Sequence, residues 1–429
     1  MRKGIFVVLA LFLAMVLIGP GPAAAKDIVV LSQLPLSGPL GAMPEQGWGF
    51  VDGMNWFNNE AGGVNGKKVK WFLEDFRYSP KVGVANFTKY CARFGKDEFL
   101  IATGYQTATI IALAEKVNNE EKIPWIDGSY SCELFGPNGG PSKYPYYYSH
   151  GAHYCDQIKL LLKWIKENHK APGPARVGFI YSPTAYGRDG PPDGIAYAKE
   201  LGFDVVAEVE YPFSATDATV QLMTFRKAKA QYVIIHGYIG AMNASVIFFK
   251  AAAKIIPDVQ LLGTTYMGGT AAIRSIGPSF NKFIWSACYP NYDAIPRSAT
   301  PMENEWVELV HEFAKKYRPG EYLKETGGIR DMLWYEVGLR DAIIVQEALL
   351  RADKAGDLTR EGVKKALDNM VWDFKGMYNG QEFSYKSHTI PMLRLYQAQV
   401  KEVDRDGEKV VTGLHVPIGE WVNTAEIEW

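Results

Sequence analysis

Ten short apolar runs, separated by amphipathic stretches, constrain this chain more than any other feature. The first five are IVVLSQL (28–34), VKWFLEDF (69–76), FLIATG (99–104), PWIDGS (124–129) and YPYYYSHG (144–151). The second five are RVGFIYS (176–182), DVVAEVEY (204–211), AQYVIIHGY (230–238), VQLLGTTY (259–266) and KFIWSACY (282–289). Between them lie helical patterns such as ANFTKYCARF, QIKLLLKWIKENH, GIAYAKELG and NASVIFFKAAAKI. Repeated strand–helix units imply parallel sheets covered by helices on both faces. Two such sets imply an α/β protein of two similar Rossmann-like lobes.

The pattern changes after Asn291. Long helices are expected near 301–317 and 328–353 and a shorter one at 359–370, followed by a strand-rich tail with a turn at Asp404-Arg405-Asp406-Gly407. One crossover between two lobes would not need these additions. The chain is therefore expected to cross three times, near 149–152, 290–297 and 371–376. The expected division is residues 26–149 with 292–372 in the first lobe, and 150–291 with 373–429 in the second.

Residues 1–25 read as a cleaved secretory signal. Arg2 and Lys3 precede an apolar core from Ile5 to Ile18, and Ala23-Ala24-Ala25 offers a small-residue cleavage site. That core is short for a membrane span, no cysteine follows the cleavage site, and no later stretch is apolar enough to span a membrane. Without Arg2 and Lys3 the chain keeps 44 basic against 47 acidic residues. That balance gives no footprint for nucleic acid or an anionic membrane. Four cysteines are too few for a disulfide scaffold, but export permits a bridge. Cys132 and Cys155 flank a Gly/Pro-rich loop and could pair, though sequence does not fix connectivity. Cys91 and Cys288 read as buried thiols.

Ligands of open parallel sheets bind beyond the carboxyl ends of the strands. The segments there are PLSGPLGAMPEQGWG, GYQTAT and GSYS in the first set, and SPTAYG, HGYIGA and TTYMGG in the second. Glycine allows close backbone approach, and tyrosine combines a rigid apolar face with a hydrogen-bonding tip. Taken singly, each loop reads as an ordinary turn. Six at equivalent positions suggest a shared cleft. GYQTAT also opens a helix whose first N–H groups need acceptors, unless its own threonines cap it. No nucleophile elbow, P-loop, H-E-x-x-H or G-x-G-x-x-G motif is present, so neither an enzyme nor a cofactor is expected. His150 and His153 favour a packed or hinge-side role over metal binding, and no metal is expected. The EEK (120–122) and KEVDRDGEK clusters read as solvated surface.

The segment from Pro35-Leu36-Ser37-Gly38 through Asn59-Glu60-Ala61-Gly62-Gly63-Val64-Asn65-Gly66 to Asp75 and Pro80 resembles the start of periplasmic binding proteins of the branched-chain amino acid and amide transporter family. The likeness runs on through Tyr186-Gly187 to the tail FKGMYNGQEFSYKSH. It implies two lobes joined by three crossovers, a small solute held in the cleft by hinge closure, periplasmic location, and delivery to an ABC permease in the inner membrane. By position it implies that Thr107 and the backbone at Tyr105 and Gln106 receive a ligand carboxylate. Gly128, Ser129 and Tyr130 would supply a second edge, Tyr186 and Tyr238 the opposite lobe, and Met43 and Trp48 a wall. Amino-acid binders of this family commonly carry an acidic residue where this chain has GTTYMGG, with Thr265 near the expected position and Tyr266 beside it. An unpaired ammonium in a closed cleft is costly. The departure points to an aromatic or largely apolar carboxylate or amide, with Asp127 a substitute partner if an ammonium is bound. Other readings are a sensory receptor subunit of the same fold and, less favoured, a secreted α/β enzyme.

Overall fold

The computed structural model describes residues 26–38, 43–136, 140–291, 294–295, 303–322, 332–405, 407–427 and 429. The signal segment, part of the second crossover and Asp406 of the expected turn lie outside the described residues.

The first sheet contains β1 (Ile28–Leu34), β2 (Val69–Asp75), β3 (Phe99–Gly104), β4 (Trp125–Asp127) and β5 (Tyr147–Ser149). Its order is β2-β1-β3-β4-β5, all parallel. Every residue of β1 and β3 is buried, whereas edge strand β2 is mostly half-buried. That contrast is what helices on both faces of a parallel sheet produce, and it explains the unbroken apolar runs.

The second sheet begins with β6 (Arg176–Tyr181), β7 (Asp204–Glu210), β8 (Tyr232–His236), β9 (Gln260–Gly263) and β10 (Ile284–Ala287). Their order, β10-β9-β8-β6-β7, repeats that of the first sheet, and all are parallel. It is completed by β11 (Ala294–Ile295), while β12 (Val371–Trp372) and β13 (Phe383–Ser384) pair with each other elsewhere. The long hairpin of β14 (Met392–Arg405) and β15 (Glu408–Asn423) joins antiparallel to β10.

Late helices return to the first sheet. The Met332–Lys354 helix packs along the Pro44–Asn59 helix. Glycines set how closely the two approach: a Cβ on Gly49 would lie 1.9 Å from the Tyr335 carbonyl oxygen, and one on Gly338 would lie 1.8 Å from that of Gln46. Arg318, following the Glu305–Tyr317 helix, fastens this layer with a two-pronged contact to Asp52, at 2.9 and 2.8 Å.

The segment that ends β5 and the segment before β14 run side by side. The Ser149 N–H donates to the His388 carbonyl at 2.7 Å, and the Tyr385 hydroxyl donates to the Ser149 carbonyl at 3.0 Å. Asp368 anchors them. Its carboxylate accepts from the Tyr148 hydroxyl at 2.6 Å and Lys364 at 2.6 Å, and contacts His388 Nε2 at 3.0 Å. Burial opposes ionisation there, but these partners outweigh it and hold the carboxyl at about 2.

Candidate functional site

In each sheet the strand order reverses direction beside its first strand, between β1 and β3 and between β6 and β8. These switch points splay the following loops and open a crevice. The Thr107–Glu115 helix after β3 meets the Ala185–Arg188 turn after β6, so the two crevices face each other.

Aromatic rings from both sides fill the meeting place. Tyr266, after β9, stacks on Tyr130, after β4, with centroids 5.5 Å apart and planes 15° apart. Its other stacked partner is Trp334, near the start of the Met332–Lys354 helix, at 5.5 Å and 21°. Tyr105 stands edge-on to Tyr266 and to Trp334. Tyr186 meets Tyr266 edge-on and Tyr154 at 5.0 Å. The Tyr266 hydroxyl donates to the Gly128 carbonyl at 2.6 Å, a hydrogen bond from a loop of the second sheet to a loop of the first. Burial, and then the neighbouring phenols, push ionisation of Tyr105, Tyr186 and Tyr266 well above the ordinary tyrosine value. Tyr78 is among those neighbours. The cluster is therefore neutral, with many ring faces and edges and several hydroxyl tips.

The turn after β3 does not cap its own helix. Gln106 occupies the N-cap position with no side-chain cap bond. Thr107 Oγ1 instead lies 2.6 Å from Ser129 Oγ, tying the loops after β3 and β4 together. Thr109 bonds to the Gln106 side chain, whose amide nitrogen donates to the Tyr78 carbonyl at 2.9 Å. Thr107, Ser129, Gly128, Tyr105 and Tyr130 thus form one continuous wall.

Other expected residues sit differently. The Tyr238 ring turns toward Tyr211 and Phe213, its hydroxyl bonded to the Tyr211 carbonyl. Only its backbone carbonyl is near the cluster, 3.5 Å from the Tyr186 hydroxyl. Thr265 is committed to backbone contacts: its N–H donates to Gln157 Oε1 and its Oγ1 accepts from the Cys288 N–H, both at 3.0 Å. Trp48 lies under the Arg318 guanidinium at 5.6 Å, on the helix layer, because the turn spacing aligns it with Asp52. Met43 is buried at the N-cap of its helix, its N–H bonded to the Pro35 carbonyl.

Asp127 offers nothing to a cleft ammonium. Its oxygens accept from Ser129 N–H at 2.7 Å and Trp125 Nε1 at 2.9 Å, and burial pushes its carboxyl up to about 7 against those donors. Cys132 and Cys155 are bonded, with Cα atoms 6.0 Å apart. Cys288 is buried as expected, whereas Cys91 is half-buried.

Sequence reasoning missed Tyr78, Tyr154 and Trp334. Tyr154 opens a helix soon after β5, and Trp334 lies near the start of the Met332–Lys354 helix, where no strand was expected to end. Reading strand ends alone passes over both. His150 is fully buried, edge-on to Tyr130 at 5.6 Å. Neither ring nitrogen has a hydrogen-bond partner, and Nε2 lies 4.0 Å from Asp341 Oδ1. Burial, then Arg340, holds His150 well below the usual histidine range.

The periplasmic binding protein family model matches residues 28–408. This chain belongs to that family. Among relatives of this periplasmic binding protein is a Leu/Ile/Val-binding protein homolog of Brucella abortus. It is 26% identical over 329 residues, covering 72% of this chain and 75% of the relative. A branched-chain amino acid ABC transporter structure from Thermus thermophilus with bound valine shares the fold at TM-score 0.75 and 22% identity, covering 93% of this chain and 97% of its own. A solute-binding protein of an ABC transporter from R. palustris, in complex with 4-hydroxybenzoate, aligns at TM-score 0.69 and 17% identity, covering 93% and 97%. No helix among the described residues is long and apolar enough to cross a membrane.

Proposed function

We propose that this chain is the solute-binding component of an ABC importer, working in the periplasm without catalysis and handing its solute to a membrane permease. Its lobes would be residues 26–149 with 292–372, and 150–291 with 373–429. The observation that carries the reading is Tyr266, which reaches from one lobe into rings of the other and bonds to Gly128. Contacts of this kind exist only when the lobes are shut, and that is what couples solute capture to hinge closure.

The solute favoured is a small aromatic or largely apolar carboxylate or amide. Rings between Tyr130, Tyr266 and Trp334 suit a flat apolar body, and the Thr107–Ser129 hydroxyl pair suits an acceptor group at its end. Asp127 is turned into its own strand end, and Thr265 stands where amino-acid binders place an acid, so support for an α-ammonium is lacking. The valine and 4-hydroxybenzoate complexes of the neighbours span both alternatives.

The test is a thermal-shift screen of the mature chain, refolded to strip carried-over solute, against aliphatic amino acids, aromatic acids, short amides and urea. A ligand at a thousand times its dissociation constant adds about 4 kcal/mol of stability. Stabilisation by aromatic or apolar acids or by amides is the expected result. Strong stabilisation by leucine with none by aromatic acids overturns the solute class. Turnover of a bound compound overturns the binding role.

A further inference from the structure

The disulfide joins two elements that belong to different lobes. Cys132 opens a short helix, Cys132–Phe135, that packs on β5 of the first sheet. Cys155 lies in the first turn of the Tyr154–Asn168 helix, which packs on β10 of the second. Each cysteine stands within two residues of a cleft tyrosine. The Tyr130 and Tyr154 rings are 5.5 Å apart. The Tyr154 N–H donates to the Tyr130 carbonyl at 2.8 Å, and the Cys155 N–H points at Cys132 Sγ at 2.8 Å. From the second lobe, Asp189 Oδ1 accepts from the Cys132 N–H at 2.9 Å.

We propose that the Cys132–Cys155 bridge is a positioning element of the cleft. It ties the lobes at one corner and keeps Tyr130 and Tyr154 together when the lobes part. Closure is then a rotation about this corner, and only Tyr266, Tyr186, Trp334 and Tyr105 have to find one another. A site with one corner already assembled loses less freedom when solute binds. Reduction loosens the site before it loosens the fold, which makes solute capture redox-sensitive. The purpose of the tie rests on the binding reading, but the tie itself can be tested without any solute. A groove of about 340 Å³ gives reductant a path: Cys132 and Glu133 line one side, Arg188, Asp189 and Asp193 the other.

The experiment is hydrogen exchange read by mass spectrometry on the full mature chain in a Cys91→Ser background. Three forms are compared: oxidised, reduced with tris(carboxyethyl)phosphine, and reduced then bridged with diiodomethane. Phosphine and water cleave the S–S bond, each sulfur gains a proton, and the phosphine becomes its oxide. Bridging breaks two C–I bonds, forms two S–C bonds and releases two hydrogen iodides. The expected result is exchange at least about tenfold faster in peptides covering 128–135 and 152–158 on reduction, with peptides of β3 and β8 unchanged. The methylene bridge should restore the slow rates, and Cys132→Ser/Cys155→Ser should match the reduced form. Unchanged exchange at the corner overturns the proposal. So does a uniform acceleration over the whole chain, which would make the bridge a general stabiliser, and so does failure of the methylene bridge to rescue.

Discussion

Asp127 at the cleft wall and Asp368 at the hinge are both carboxylates near strand or helix ends, yet one sits at about 7 and the other at about 2. Asp127 is met by neutral N–H groups and an indole, Asp368 by Lys364, His388 and a phenol. The hinge is held by charge with its partners in place. The cleft is lined by neutral groups, and one of them is under-used: the Tyr130 hydroxyl lies near the Tyr266 phenol but makes no well-formed hydrogen bond. A region that must keep one geometry uses up its hydrogen bonds. A region that receives a solute keeps polar atoms in reserve.

Removing the hinge acceptor tests that contrast most severely. Asp368→Ala leaves Lys364, His388 and Tyr148 around a lost partner and should cost about 3 kcal/mol of stability by chemical unfolding. A loss under about 0.5 kcal/mol would mean the hinge is not held by charge. Tyr266→Ala should leave a folded chain but weaken the best solute from the screen by about thirtyfold or more in calorimetry, as loss of a central aromatic anchor does. Unchanged affinity would remove the cleft from the ring cluster.

The two carboxylates also tilt stability against pH in opposite senses. Asp368 has a folded value below its ordinary 3.8. Its contribution is present above that value and is lost as pH falls toward about 2, on the order of 2 kcal/mol. Asp127 has a folded value raised to about 7. Its contribution is present below the ordinary value and is lost as pH rises through about 7. The parent chain should therefore lose stability between the ordinary 3.8 and about 7 and level off above it, Asp127→Asn should lack that decline, and an identical pH profile would contradict the raised value. The smallest effect belongs to Tyr130→Phe, which removes an under-bonded hydroxyl. Stability should change by less than about 0.5 kcal/mol, while a solute that uses that hydroxyl binds more weakly.

The fold was legible in the sequence because its strands are buried on both faces and so appear as continuous apolar runs. FLIATG at 99–104 coincides with β3, and IVVLSQL at 28–34 with β1. Boundaries slipped where apolar residues serve loops: YPYYYSHG suggested eight residues, but β5 keeps three, because Tyr146 and His150 serve neighbouring contacts. The cleft was legible only as a set of loops. Period and composition place Tyr238 and Thr265 at strand ends, but side-chain direction depends on the partners within reach. Tyr238 found the Tyr211 carbonyl, and Thr265 found Cys288 and Gln157. Trp334 comes from a helix far along the chain, and no local pattern could bring it to Tyr266.

The same distance bears on how the molecule is made. Gln346 donates to the carbonyl of Gly53, 293 positions earlier, and β10 gains its second neighbour only when residues 392–405 arrive. A growing chain cannot finish its first half and set it aside. Until the Met332–Lys354 helix exists the first sheet lacks a cover, and until the hairpin of β14 and β15 exists the second has a bare edge; each invites unwanted pairing. Each sheet is therefore finished late, the first before the second. A chain stopped before this hairpin has its first sheet covered and its second sheet still open at β10.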